Sequence, residues 1–375
     1  MSVKTQAIIP VTSAELPPIA SYTNYLQNIW ENHRLTNQGP LAQQLEADLN
    51  QYLGASTDSQ LTSSGTTALQ LAIRALNLSG EVITTPFSFV ATTAAILWER
   101  CQPVFVDIDP HTFCLDAAKI EAAITPRTQA ILATHVYGYP CDVERIEAVA
   151  QRYNLKVIYD GAHAFGTRIQ GRSVLTYGDV TACSFHATKL FHTGEGGAVI
   201  TRQPEVARRV GLLRAAGLVA GQPQILGTNA KLSELHAALG LCLLPGVEEA
   251  IRERAKLHAT YRVALAGLDL CYPALVPGTT YNYAYFPVVL SSEAVLLRVQ
   301  KRLAAAGIGS RRYFFPSLNC LPYHTGESCP ISEDLAGRVL CLPFFRQLQP
   351  EQAKHIADLV RAEVAAAPTA ALAYI

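Results

Sequence analysis

The run Lys156-Val-Ile-Tyr-Asp-Gly-Ala-His-Ala-Phe-Gly166 joins a short apolar β-strand pattern to a carboxylate, Asp160, and to a nearby histidine, His163. An apolar strand that ends in a charged side chain carries it toward the interior, where a charge needs a partner. We therefore consider both residues candidates for a binding site. A carboxylate in this position can equally well cap the turn that follows.

Short runs of the same kind precede this strand along the chain. Strand patterns lie at 81–85, 103–107 and 130–134, and helical patterns lie at 41–53, 67–76, 88–99, 116–124 and 142–153. Strands that alternate with helices predict parallel β-α-β units, and hence an α/β sheet with helices on both faces. Such sheets bind their ligands at the carboxyl ends of the strands, so we expect the chemistry there.

The pattern changes after residue 240. Helix and strand patterns follow at 247–264, 282–290, 293–305 and 350–365. A chain of 375 residues is expected to hold about two domains. We predict a large domain at 1–245, with a mostly parallel sheet covered by helices, and a smaller C-terminal α+β domain at 246–375.

The composition excludes several classes of partner. The 30 Lys and Arg residues balance 30 Asp and Glu residues, so the chain lacks the basic footprint that nucleic acid binding needs. Charged residues make up 16% of the chain, below the roughly 25% usual in soluble proteins, which indicates a deep core or a hidden subunit interface. The first ten residues lack a signal-peptide pattern, and the longest uncharged run, 82–98, is too short for a membrane helix.

The cysteines point to a reducing compartment. They number nine, are scattered, and never occur as C-x-x-C, which is typical of free thiols rather than of disulfides or a zinc site. We therefore expect a cytoplasmic protein. We expect no metal site either, because His186 and His192 have no matching Cys or carboxylate pattern.

The run Ser63-Ser-Gly-Thr-Thr67 lies at the start of a predicted helix. Glycine lets the backbone approach a ligand closely, and the free N–H groups of a helix start attract an anion. Phosphate binding is one interpretation of this run, and an ordinary Ser/Thr helix cap is the other.

Lys189 ends the run Ser184-Phe-His-Ala-Thr-Lys189, which stands between two apolar strand patterns. A lysine is most often a surface residue. In a partly desolvated site, however, its pKa falls and it becomes a nucleophile that forms Schiff bases. Asn229 precedes a further predicted helix, where an N-terminal cap is the simplest interpretation.

Each of these groups is ambiguous alone, but their combination is specific. A phosphate cradle, a buried carboxylate and a lysine nucleophile, each at a separate strand end, are the three requirements of pyridoxal phosphate. Its ring nitrogen must stay protonated to withdraw electrons, and an adjacent Asp favours that charged form.

The chain also resembles a known family, the sugar aminotransferases of the DegT/DnrJ/EryC1/StrS group, which are fold-type-I pyridoxal phosphate enzymes. The resemblance runs from Leu35-Thr-Asn-Gln-Gly-Pro40 to Leu340-Cys-Leu-Pro343. Its motifs occur in family order: Ser64-Gly-Thr-Thr-Ala-Leu69, Pro86-Phe-Ser-Phe-Val-Ala-Thr92, Phe105-Val-Asp-Ile-Asp109, His135-Val-Tyr-Gly138, Asp160-Gly-Ala-His-Ala164, Ser184 to Lys189 with Gly194-Glu-Gly-Gly197, and Asn229-Ala-Lys-Leu-Ser-Glu-Leu235.

The resemblance implies a role for each residue around the cofactor ring. Lys189 is expected to hold the cofactor through a Schiff base and to move the proton between cofactor and substrate. Asp160 is expected to pair with the pyridine nitrogen. His163 stands where the family often has Gln and is expected to bond the ring hydroxyl, and Phe89 is expected to stack on the ring.

The resemblance also implies a phosphate site and a shared dimer. Gly65, Thr66 and Ser184 are expected to hold the phosphate. Asn229 is expected to reach the phosphate of the partner subunit, which makes the active site a property of a homodimer. The family usually has Arg two residues after that Asn, and here it is Lys231, a point charge instead of a fork.

The substrate side departs further from the family. The small-domain motif commonly reads His-Tyr-x-Pro-Leu-His, whereas this chain has Arg311-Arg-Tyr-Phe-Phe-Pro-Ser-Leu318. Candidate substrate residues are Lys231, Arg311, Arg312 and Tyr313, with Arg252 a further candidate cation for the sugar diphosphate. The Arg-Arg-Tyr-Phe form is most similar to the branch that acts on dTDP-4-keto-6-deoxyglucose.

The expected reaction moves an amino group from glutamate, which leaves as 2-oxoglutarate, to the 4-keto carbon of a nucleotide-linked 4-keto-6-deoxyhexose for surface polysaccharide. The nearest alternative is a 3-ketosugar aminotransferase, and the pattern leaves dTDP, UDP and GDP open. A dehydratase of the family would carry His in place of Lys189, and the motif order does not fit a cysteine desulfurase. A non-catalytic sensor that binds pyridoxal phosphate is the alternative from another class.

Overall fold

Seven strands form the central sheet of the computed structural model, which describes residues 8–54 and 56–366. They are β1 (Asp58–Thr62), β2 (Glu81–Thr84), β3 (Gln102–Phe105), β4 (Thr128–Thr134), β5 (Lys156–Asp160), β6 (Val180–Ser184) and β7 (Gly197–Thr201). Their order in the sheet is β1-β7-β6-β5-β4-β2-β3. Strands β2 to β6 pair in parallel, and β7 runs antiparallel to both of its neighbours. This confirms the mostly parallel sheet.

Eleven helices are assigned within the described residues. They are α1 (Ile19–Asn32), α2 (Pro40–Leu53), α3 (Gly65–Ala75), α4 (Ala91–Trp98), α5 (Val143–Tyr153), α6 (Pro204–Arg214), α7 (Glu234–Leu243), α8 (Val247–Ala264), α9 (Glu293–Ala305), α10 (Pro330–Arg338) and α11 (Pro350–Ala365). None of the helices in these ranges combines the length and the apolar character that crossing a bilayer requires.

Both faces of the sheet are buried, as the alternation along β4 shows. Ile131 and Ala133 pack into one apolar core, whereas Ala130 and Leu132 pack into another. Successive residues of a strand point to opposite faces, so the two cores lie on opposite sides of the sheet. The near-continuous apolar character of the strands follows from this double coverage.

The C-terminal part has a core of its own. Strands β8 (Pro287–Val289) and β9 (Val339–Cys341) pair antiparallel, and residues of α8, α9 and α11 complete this core. Ile9 pairs with Ile308, so the start of the described chain packs here as well. The predicted domain division at 245 and 246 stays a prediction.

Two predicted elements were wrong. The segment predicted as a helix at 116–124 forms two 3-10 turns, Ala117–Lys119 and Glu121–Ala123. A helix cannot continue past them because Thr125 precedes Pro126, and the residue before a proline favours extended backbone. Of the strand predicted at 282–290, only β8 forms. Remaining two-residue strands are Arg168–Ile169, Arg172–Ser173 and Thr279–Thr280 in one sheet, Leu218–Val219 with Gln222–Pro223, and Cys320–Leu321 with His324–Thr325.

Candidate active site

A cavity of about 530 Å³ opens at the carboxyl ends of β5 and β6. The start of α3 and the segment after Arg311 also contribute to its wall. Ten of the twelve residues predicted for the site line this cavity: Gly65, Thr66, Phe89, Asp160, His163, Ser184, Lys189, Arg311, Arg312 and Tyr313. The structure therefore brings together groups that are up to 248 positions apart in the chain.

Asp160 ends β5 and is 5% exposed. Its Oδ2 accepts a hydrogen bond from the Thr92 hydroxyl at 2.8 Å, and its Oδ1 accepts one from the Ala162 N–H at 3.1 Å. Burial raises the pKa of the Asp160 carboxyl, while these two bonds and the charge of Lys189 act in the opposite direction. Asp160 is therefore a desolvated carboxylate, and a cationic ligand group beside it would stabilise its charged form.

Thr92 belongs to a chain of hydroxyl groups. Its Oγ1 lies 2.7 Å from the Ser88 hydroxyl, which lies 3.0 Å from the Thr134 hydroxyl. All three residues are buried. A chain of hydrogen bonds in a region of low dielectric orients its members, so it holds the carboxylate of Asp160 in one position.

His163 is buried and its ring is held in one protonation pattern. Its Nδ1 accepts a hydrogen bond from the Tyr137 backbone N–H at 3.1 Å. Burial lowers the pKa of His163 well below its usual value, and the charge of Lys189 adds to this effect. A neutral imidazole whose Nδ1 is an acceptor carries its proton on Nε2, so His163 offers a donor there. The amide of a glutamine would offer a donor as well.

Lys189 lies partly buried in the loop after β6. Its Nζ donates to the Tyr285 hydroxyl at 3.3 Å. Burial lowers the pKa of Lys189 to about 8, against the effects of Asp160 and Tyr313, which raise it. A lysine with this pKa is neutral in an appreciable fraction near neutral pH and can act as a nucleophile or base.

The start of α3 forms a cradle beside Ser184. The Ser64 side chain accepts from the Thr67 N–H at 3.1 Å, which confirms the helix-cap interpretation for Ser64. A helix cannot satisfy its first N–H groups internally, so those of Gly65 and Thr66 remain available for an anion. A Cβ at Gly65 would lie 2.6 Å from the Cβ of Ser184, so only glycine allows this close approach.

Arg311 and Arg312 have different surroundings. Arg312 donates to Glu293 at 2.7 Å and to the carbonyl groups of Ala336 and Gly337 at 3.3 Å. Arg311 is exposed, and its guanidinium donates to the Tyr313 hydroxyl at 3.3 Å. Arg311 also pairs with Cys341 through its backbone. Extended backbone directs alternate side chains to opposite sides, which separates the two arginines.

Phe89 lies in the wall of the cavity with 55% of its surface exposed. An exposed aromatic ring in a cavity wall provides a flat apolar surface for a planar ligand. The stacking role predicted for Phe89 stays a prediction.

Asn229 and Lys231 lie outside the lining of this cavity. Asn229 is exposed, and its Oδ1 accepts from Lys231 Nζ at 2.7 Å. Helix α7 begins after Ser233, whose side chain accepts from the His236 N–H, so Asn229 is not the cap of this helix. Within the described chain, the two residues are thus apart from the other ten.

The predicted residues fit pyridoxal phosphate. The cavity offers the N–H groups at the start of α3 for a phosphate, a buried carboxylate and a lysine of lowered pKa. The sequence interpretation missed Thr92, Tyr285 and the orienting N–H of Tyr137. Thr92 closes the motif that begins at Pro86, which was a signal for it. Nothing in the run around Tyr285 distinguished it from strand residues.

Comparisons with known proteins agree with this chemistry. Residues 19–361 match the model of the DegT/DnrJ/EryC1/StrS aminotransferase family. The chain is 41% identical to dTDP-4-amino-4,6-dideoxy-D-glucose transaminase of Shigella dysenteriae and 40% identical to the enzyme of the same name from Escherichia coli, each over 94% of this chain and 98% of the relative. It is 37% identical to UDP-N-acetyl-3-dehydro-alpha-D-glucosamine 3-aminotransferase of Acidithiobacillus ferrooxidans, over 80% of this chain and 82% of the relative.

A solved structure supports the same assignment. DesI, crystallised in the presence of its TDP-sugar product, superposes with a TM-score of 0.89 at 34% identity, over 96% of this chain and 94% of DesI. The match covers both the central sheet and the C-terminal part. The chain therefore belongs to the DegT/DnrJ/EryC1/StrS aminotransferase family and is a pyridoxal-phosphate-dependent enzyme.

Proposed function

We propose that this enzyme transfers an amino group from glutamate to the 4-keto carbon of a nucleotide-linked 4-keto-6-deoxyhexose, namely dTDP-4-keto-6-deoxyglucose. Support comes from two relatives at 40% and 41% identity that carry the name of the 4-amino product. The single observation that carries the proposal is the meeting of Lys189, Asp160 and Arg311 in one cavity.

Pyridoxal phosphate, when bound, supplies an electron sink for the carbon that loses or gains a proton. The carboxylate of Asp160 would hold a proton at the ring nitrogen, since a charged partner there offsets the cost of its burial. His163 would donate through Nε2 to the ring oxygen. The amides of Gly65 and Thr66 would hold the phosphate.

Lys189 would move the proton. Because its pKa is about 8, both the neutral and the charged form of the amine are populated near neutral pH. Acid-base catalysis in both half-reactions requires both forms. The amine lies 5.9 Å from the centre of the Tyr285 ring, in a cavity whose wall also includes Phe314.

Arg311 would bind anionic substrate groups. It is exposed at the cavity wall, whereas Arg312 is committed to Glu293 and to backbone carbonyls. Because the net charge of the chain is zero, a sugar diphosphate would be bound by such local cations and not by the overall field of the protein.

We further propose a homodimer with shared active sites. Asn229 and Lys231 lie outside the cavity of their own chain, and Asn229 is exposed whereas Lys231 is half-buried. Exposed apolar side chains precede this segment in the chain, Leu218, Val219, Ile225 and Leu226 among them. A second copy that covers this surface would bring Asn229 to the phosphate of its partner.

The cellular setting is also a proposal. All nine cysteines are free, which agrees with a reducing compartment such as the cytoplasm. The proposed product is a 4-amino-4,6-dideoxy sugar nucleotide, and we propose that it serves O-antigen or lipopolysaccharide biosynthesis.

The first test is spectroscopic. Purified protein with pyridoxal phosphate should show a visible absorption band, and glutamate should bleach it while 2-oxoglutarate appears. Lys189→Ala should bind no cofactor covalently, and it is the matched control. A wild-type protein that shows neither the band nor the bleaching would contradict the proposal.

The 3-ketosugar alternative rests on the relative at 37% identity that aminates C3. Its coverage and identity are lower than those of the two 4-amino sugar enzymes. Incubation with both ketosugar isomers separates the two functions. A sensor that binds the cofactor without turnover would show the band but no amine transfer to either isomer.

A further inference from the structure

We infer that Tyr285 is a positioning residue for Lys189: its hydroxyl accepts a hydrogen bond from the lysine amine and fixes where that amine lies. This inference deepens the proposed function and rests on it for the role of the lysine. The Nζ to hydroxyl distance is 3.3 Å. Tyr285 is 6% exposed, and no sequence motif singled it out.

The hydroxyl of Tyr285 stays protonated near neutral pH. Burial is the main cause that raises its pKa, and the thiol of Cys341 adds to it. The group therefore does not compete for the proton that Lys189 moves. It acts as a neutral dipole that accepts from the ammonium form and can donate to the amine form.

The ring of Tyr285 is held on several sides. Its centroid lies 4.6 Å from that of His163 and 5.9 Å from that of Tyr137. It also meets the ring of Tyr313 edge-on, at 5.7 Å. A side chain packed in this way has few alternative rotamers, so its hydroxyl stays in one position and offers the flexible lysine a hydrogen-bond acceptor there.

The backbone that carries Tyr285 is tied to the loop that carries His163. Asn282 donates to the carbonyl groups of His163 and Phe165 at 2.8 and 2.9 Å and accepts from the Ala284 N–H at 3.1 Å. Asn282 is fully buried. This clamp explains why the predicted strand at 282–290 bends at its start, with Tyr283 at a φ of 52°.

The contact with Tyr285 affects the position of the lysine amine during proton transfer. A lysine side chain has four rotatable bonds, and an amine that samples many positions loses the alignment that proton transfer needs. The contact with Tyr285 would return the released amine to one place after each half-reaction. Removing the hydroxyl should therefore slow proton transfer without weakening substrate binding.

The test compares Tyr285→Phe with Tyr283→Phe. Tyr283 lies two positions away, and its ring packs on His258 and Tyr281 instead of facing Lys189. In cofactor-free protein, acetylation of Lys189 by acetic anhydride is followed by mass spectrometry as a function of pH. Because the hydroxyl stabilises the ammonium form, Y285F should lower the midpoint by about 0.5 to 1 pH unit, and Y283F should leave it unchanged.

The loaded enzyme gives a second measurement. In the glutamate half-reaction, Y285F should lower the single-turnover rate constant about tenfold or more, with the glutamate concentration at half-saturation nearly unchanged. If Y285F matches Y283F in both measurements, the inference is overturned. A wild type without a glutamate half-reaction contradicts the proposed function instead, and the acetylation midpoint still tests the contact by itself.

Discussion

The hydroxyl of Thr92 donates a hydrogen bond to Oδ2 of Asp160 across 2.8 Å. The other carboxylate oxygen accepts from the Ala162 N–H, so the structure fixes both oxygens. Burial disfavours the charged form of Asp160, and these two bonds favour it. Thr92 thus helps to keep a desolvated carboxylate ionised.

Thr92→Val should weaken the cofactor site. Without the hydroxyl, the pKa of Asp160 rises further, so the carboxylate protonates at higher pH than in the wild type. The acidic limb of the pH profile for the glutamate half-reaction should therefore move to higher pH. Near neutral pH, equilibrium titration should show cofactor affinity reduced about tenfold, as expected for a lost bond to a charged group.

The adjacent Thr93→Val is the matched control for that change. Thr93 is equally buried, but within the described residues its hydroxyl has no hydrogen-bond partner. Its replacement removes an unsatisfied polar group and should leave affinity and pH profile unchanged. Equal behaviour of the two valine variants would remove the role given to Thr92.

Asp160→Asn should have opposite effects on the two states of the protein. Burial raises the pKa of Asp160 in the folded, cofactor-free protein above its value in the unfolded chain. The ionised side chain therefore destabilises that state at neutral pH, and the penalty fades as the pH falls and the group takes up its proton. Calorimetry should show cofactor-free D160N melting above the wild type at pH 7, with a gap that closes on acidification.

With cofactor bound, the order of the two melting temperatures should reverse, because Asn cannot pair with a protonated ring nitrogen. A D160N protein that melts below the wild type in the cofactor-free state at every pH would contradict the role given to burial. Measuring both states in one series separates loss of cofactor from loss of fold.

The two neighbouring arginines should differ in what they affect. Arg311→Ala should raise the KM for the sugar nucleotide about 10- to 100-fold, as expected for a lost charge-assisted contact. Arg312→Ala should instead lower stability by about 1 to 3 kcal/mol, because it leaves the carbonyl groups at the end of α10 without a partner. Steady-state kinetics and thermal unfolding of both variants check this, and interchanged effects would contradict the assignment.

The shared active site can be tested by mixing two inactive variants. The Lys189→Ala chain retains the wild-type Asn229, and the Asn229→Ala chain retains the wild-type Lys189. In mixed dimers, one of the two sites would regain both residues. Random exchange of equal amounts should recover about a quarter of the wild-type activity if the site is shared across a two-fold interface. No recovery, despite exchange shown by differently tagged chains, would place Asn229 in the site of its own chain.

The sequence predicted most of what lies at the ends of strands. Asp160 ends an apolar strand, His163 and Lys189 lie in the loops that follow such strands, and the parallel sheet brings these positions to one edge. Their partners were harder to predict, because each comes from a separate element. Thr92 lies on α4 and reaches Asp160 at the end of β5 only in the folded structure, and Tyr285 reaches Lys189 only through the turn that Asn282 clamps.

The adjacent pair at 311 and 312 shows a second limit of sequence interpretation. Both side chains are cations in the same motif, and the sequence analysis predicted the same substrate-binding role for both. Their difference arises from the extended backbone beside β9, which directs Arg311 toward the Tyr313 hydroxyl and Arg312 toward Glu293. Only the packing of α9 and α10 determines which of the two arginines remains available.

The most direct measurement follows the nitrogen atom itself. The enzyme is incubated with pyridoxal phosphate, ¹⁵N-glutamate and dTDP-4-keto-6-deoxyglucose, and the product is examined by NMR, with Lys189→Ala as the control. We predict that ¹⁵N appears on C4 of the sugar with the wild type and that no label is transferred with the variant. Label on C3 when the 3-keto isomer is supplied, with none on C4 of the 4-keto sugar, would contradict the proposed reaction.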